Sequence, residues 1–95
     1  MNAWLIEIGS VVVSKAGRDR GRLFLVVGEV DDDFVMVANG ALRKMDRQKK
    51  KRRKHLKPTG RVVTELKERL SQAKPVEDHE LRTWLSEEEE KLVQV

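Results

Sequence analysis

The residues with chemistry to offer are cations, and they fall in two groups. Lys15, Arg18, Arg20 and Arg22 form the first. Arg43, Lys44, Arg47, Lys49, Lys50, Lys51, Arg52, Arg53, Lys54, His55 and Lys57 form the second. From Arg43 to Lys57 ten Lys/Arg meet a single acid, Asp46, so the positive field there is dense. The chemistry such a field suits is neutralisation of phosphates. Each phosphate contact releases counterions, so binding is tight at low salt and falls steeply as salt rises. Arginine adds planar two-pronged contacts and stacking on bases. His55 suits either a base or phosphate contact or, beside Leu56, a structural place on a strand edge. The plainer reading of the second group is a solvated, non-specific basic tail or a targeting signal.

The acidic groups carry less. His79 among Glu77, Asp78 and Glu80 is a weak metal pattern and reads better as an exposed helix start. Asp31–Asp33 lacks the glycine and distal glutamate of a calcium loop and reads as a turn. Glu87–Glu90 reads as a solvated helical face. There is no phosphate-cradling glycine loop, nucleophile motif or zinc spacing. Neither an enzyme nor a cofactor is expected.

Three apolar runs must position the first group: Val11–Val13, Leu23–Val27 and Phe34–Val37. They are short, rich in β-branched residues and bounded by turn formers, which predicts strands in an antiparallel meander. Gly17 and Gly21 suit the first turn because glycine takes positive φ without steric cost. Asp31–Asp33 makes the second turn, and Asn39-Gly40 is a strong turn pair. Both faces of Leu23–Val30 are largely apolar, so another segment is expected over one of them. Gly28 within that run predicts a bulge or bend. Ala41–Met45 is read as a further strand with Leu42 inward. Ahead of the meander, Trp4, Leu5, Ile6 and Ile8 suggest a lead-in that covers one end of the fold, with Trp4 a core lid or a stacking platform.

The stretch Gly9, Val11–Val13, Gly17, Arg18, Arg20, Gly21 and Leu25–Val27 resembles the KOW motif, an RNA-binding unit within small SH3-like β-barrels. Many members have a further glycine where this chain has Phe24. That departure favours the large-subunit ribosomal KOW proteins of archaea and eukaryotes. Those also carry the later run matched here by Lys54-His55-Leu56-Lys57-Pro58-Thr59. The resemblance covers roughly residues 5 to 60. It implies a mainly β fold: a barrel of about five strands, followed by one or two short C-terminal helices. It implies that the segment near Arg52–Lys57 pairs as the closing strand, with Leu56 inward and Pro58 ending it. It also implies non-catalytic binding of structured ribosomal RNA through the first turn and the later basic segment. A protein-binding adaptor of the transcription or translation machinery is the first alternative, with Leu81, Trp84 and Leu85 as its contact stripe. A non-specific nucleic-acid binder is the second.

The chain has 95 residues and no cysteine, which bounds it to one small domain, with or without an appendage, in a reducing compartment. No basic region precedes the short apolar patch at the N-terminus and no run is long enough to span a membrane, so a cytoplasmic protein, monomeric when free, is expected. Residues 1–61 carry 15 Lys/Arg and 7 Asp/Glu, whereas residues 62–95 carry 5 and 9. This asymmetry predicts a basic, polyanion-binding body and an acidic appendage. With the barrel that the resemblance implies, the division is a barrel over residues 1–60, containing the basic segment 43–57, and a helical appendage over 61–95. In the appendage, Val62, Leu66, Leu70 and Ala73 have helical spacing, and Pro75 separates them from a second helix with a Leu81, Trp84, Leu85, Leu92 stripe. Ser86 before Glu87–Glu90 could cap a fresh helix start there.

Overall fold

The structure, a computed structural model, describes residues 6–93, with side chains through Glu90. Trp4 and Leu5, and the side chain of Leu92, lie outside the described residues. Each apolar run forms a strand: β1 (Ser10–Ser14), β2 (Leu23–Glu29) and β3 (Phe34–Ala38). Then follow β4 (Lys49–Arg52), β5 (Leu56–Val62), α1 (Thr64–Ser71) and α2 (Asp78–Val93). All five strands pair antiparallel in one sheet, in the order β4-β3-β2-β1-β5. The fold is mainly β with C-terminal helices, as the resemblance implies.

The sheet has to curl. Its edge strands, β4 and β5, are separated in the chain only by the 3-10 turn Arg53–His55. Edges of a flat five-stranded sheet would lie about 19 Å apart. The steps from Arg52 to Leu56 reach about 14 Å at most. The Lys15 amide donates to the His55 carbonyl at 2.7 Å, which fastens the closing turn to the end of β1.

Strand alternation sends the two faces of β2 into two cores. Phe24 and Val26 point inside the curl, with Ile6, Val12, Val35, Val37 and Leu56. Leu23, Leu25 and Val27 point outside it, with Val11 and Ala38. That outer face is covered by Val63 and Leu66 at the start of α1 and by Leu81 and Leu85 of α2. The second apolar face read in the sequence therefore belongs to the helices. The β2–β3 register shifts between Val26 and Gly28, the bulge that Gly28 signals.

Several expectations are corrected. Ala41–Met45 is not a strand, and Leu42 is 62% exposed. The Asn39 carboxamide oxygen accepts from the amides of Ala41 and Arg43, folding a tight loop instead. Pro58 does not end a strand but lies within β5, opposite Val12. β5 is at the sheet edge, where a missing N–H costs no ladder bond. The segment Arg52–Lys57 is not one strand, because the 3-10 turn divides it; Leu56 is inward, 3% exposed. Nor does α2 break at Ser86. Glu88 falls on the buried face of Leu81 and Leu85, not on a solvated one, and Arg61 holds this stretch by pairing with Glu87 at 2.9 Å.

Gly17 and Gly21 have φ of +74° and +86°, and a Cβ at either would meet nothing within 4 Å. A side chain there acts only through the backbone. Gly17→Val and Gly21→Val are each expected to lose about 1–3 kcal/mol. Thermal melts matching the parent would refute the left-handed turn.

Candidate nucleic-acid interface

The basic run Lys49–Arg52 is not uniform, because β4 is a strand and successive side chains take opposite faces. Lys49 and Lys51 turn toward one carboxylate, Asp19, in the first turn. Lys49 Nζ lies 3.0 Å and Lys51 Nζ 3.3 Å from Asp19 Oδ2. Lys51 Nζ also donates to Ser14 Oγ at 2.9 Å. Arg22 Nε lies 4.0 Å from the other Asp19 oxygen. Lys50 and Arg52 take the opposite face, over the ring of Phe34.

Asp19 is 6% exposed. Burial alone would raise its pKa, but hydrogen bonds from Lys49 and Lys51 outweigh burial and hold the carboxyl below the ordinary range. It is therefore ionised at neutral pH. One carboxylate balances one of the three cations that face it, so net positive charge remains around it.

That surplus lines a cleft of about 410 Å³ between the first turn and the loop after β3. Arg18, Asp19 and Arg22 form one wall, and Leu42, Arg43 and Lys49 the other. The two basic groups of the sequence thus meet across one opening. Lys15, Arg20, Lys44, Arg47, Lys54 and Lys57 are exposed beyond its lining. Two candidates are buried within the protein. Lys51 is 9% exposed in the Asp19 network. Arg53, equally buried, donates from Nη1 to the Ile6 carbonyl at 2.8 Å and from Nε to the Asp31 carbonyl at 3.2 Å. His55 is partly buried in the closing turn, where its carbonyl binds Lys15.

Sequence reasoning missed Asp19 and Leu42. An acid between two arginines in a glycine-bounded turn was the available signal for Asp19. Leu42 had none, since its exposure depends on the Asn39 loop. The stripe offered for a protein partner is spent on packing: Leu81 and Leu85 are buried and Trp84 packs against the same core. Among the described residues, no group of acids, histidines or cysteines could hold a metal, and no helix is long and apolar enough to cross a membrane.

Fold and cleft define a class: a small curled-sheet domain that presents a cationic opening where its first hairpin turn faces its fourth strand. Compared with known proteins, the chain is similar to the large ribosomal subunit protein eL14 of Desulfurococcus amylolyticus, 38% identical over 58 residues. It is also similar to the eL14 of Staphylothermus marinus, 31% identical over 58 residues. Each match covers 61% of this chain and 60% of the relative. The motif resemblance to archaeal large-subunit ribosomal proteins is met in these two. No family model matches the chain.

Proposed function

We propose that the chain is a non-catalytic RNA-binding protein of the large ribosomal subunit, acting in the cytoplasm and monomeric when free of its RNA. The observation that carries this reading is the cleft in which Arg18 and Arg22 face Arg43 and Lys49. Four cations around one buried carboxylate suit a phosphate backbone that passes between the turn and the loop. Asp19 holds Lys49 in place, which lowers the ordering cost of contact. The similarity to archaeal large-subunit ribosomal proteins supports structured ribosomal RNA as the partner.

Two triple variants test it. Arg18→Ala, Arg22→Ala, Arg43→Ala removes three of the four cleft cations and leaves Lys49 on Asp19, and Lys44→Ala, Lys54→Ala, Lys57→Ala removes equal charge elsewhere. Each lost phosphate contact should lower the salt slope of binding by about 0.7–0.9. RNA helices are read largely by shape, so the cleft triple should also lose preference for a junction RNA over a homopolymer. The other triple should weaken both RNAs alike. If the two cannot be told apart, a non-specific basic tract explains the binding instead.

A further inference from the structure

Phe34 belongs to neither core cluster. It opens β3 on the outer face of the sheet, whose far end, at Ala38, the helices cover. The residue is partly exposed. Lys50 Nζ lies 4.5 Å from the ring centroid and Arg52 Cζ 4.9 Å, and both side chains are exposed. The register explains this: Phe34 pairs with Arg52, and Met36 with Lys50, all on one face. An aromatic outside the core, bracketed by two solvent-facing cations, has the composition of a nucleotide site. Single-stranded nucleic acid is held by a ring that stacks on a base and cations that follow its backbone.

We propose that Phe34, Lys50 and Arg52 form a stacking platform for one unpaired RNA nucleotide, on a different face of β4 from the cleft. The base lies on the Phe34 ring, and the two cations swing outward onto the flanking phosphates. A protein partner fits less well, because one partly exposed aromatic residue between two cations is a small patch; Asp31, which accepts from the Phe34 amide at 2.8 Å, offsets part of its positive charge. This inference rests on the RNA-binding reading and adds to it a preference for unpaired nucleotides.

The test uses the full chain and two RNA hairpins, one fully paired and one with a single unpaired 2-aminopurine. The parent should bind the second more tightly and quench its fluorescence. Phe34→Leu keeps apolar bulk but removes the ring; it should abolish quenching and bind that hairpin roughly 5- to 100-fold more weakly. Its affinity for the paired hairpin should change less than about twofold. Phe34→Tyr should behave like the parent, which separates stacking from any loss of folding. The platform is overturned if Phe34→Leu matches the parent on both hairpins, weakens both equally, or if Phe34→Tyr fails with it. A parent that binds neither hairpin overturns the RNA-binding reading and the platform together.

Discussion

A chain ending at Thr59 is expected to lose its strand signal in circular dichroism, not only its helices. Deletion cuts β5 before Gly60 and removes Val63, Leu66, Leu81 and Leu85 from the outer core. Leu66 and Leu81 are fully buried, and their loss would bare Val11, Leu25 and Ala38. At about 1.5–3 kcal/mol for each buried aliphatic side chain, four of them contribute about 6–12 kcal/mol as an upper bound. That rivals the whole stability of a small domain, about 5–15 kcal/mol. Polar contacts point the same way. The Met45 amide donates to Asp78 Oδ1 at 2.8 Å, and a Cβ at Gly40 would lie 2.3 Å from the Asp78 carbonyl oxygen, so the loop after β3 is fitted to the start of α2. We propose on this packing that barrel and helices fold as one unit. A truncated chain with a strand spectrum and a cooperative melt would overturn that and restore a separable appendage.

Replacing Asp19 by Asn should be the most costly single polar change, and its cost should depend on pH. The Lys51 side chain, 9% exposed, would lose the carboxylate it faces. Breaking a buried pair from one side costs about 3–5 kcal/mol. Arg22, 52% exposed, adds little because solvent screens it. Lys49 and Lys51 hold the Asp19 pKa below its unfolded value against the opposing effect of burial. The stabilisation is therefore complete above the ordinary aspartate range and is lost as pH falls through the lowered folded value. The melting-temperature gap between parent and Asp19→Asn should be wide near neutral pH and should narrow below about pH 4. Asp31 and Glu80, whose pKa values are also lowered, are present in both proteins and cancel in the difference. A gap that stays constant into the acid range would show that Asp19 acts by shape rather than charge.

Local signals were the legible ones. The three apolar runs, the Asp31–Asp33 turn, the Asn39-Gly40 pair and the bulge at Gly28 depend on neighbours within a few residues, and each forms as read. The apolar second face of β2 announced a cover, and the helices supply it. What stayed hidden depends on distant partners. Ala41–Met45 is shaped by Asn39 and by Asp78, far along the chain. α2 runs on past Ser86 with Leu85 and Glu88 buried on either side of it and Arg61 meeting Glu87. In the candidate site, charge was plain but its direction was not. A run of like residues has no apolar rhythm to show which members turn inward, so Lys51 and Arg53 looked the same as Lys50 and Arg52.

The alternation of β4 makes that run something other than a string of interchangeable beads. Each position has an address: Asp19 for one set, the Phe34 ring for the other. Because side chains in a strand repeat every two residues, a slip of one exchanges the whole set. Losing one lysine would barely alter the charge, yet it would bring Arg52 to the place beside Asp19 that Lys51 holds, and Lys54 to the buried place of Arg53. The number of residues in the tract therefore matters as well as its charge, because Asp19 fixes which members turn inward.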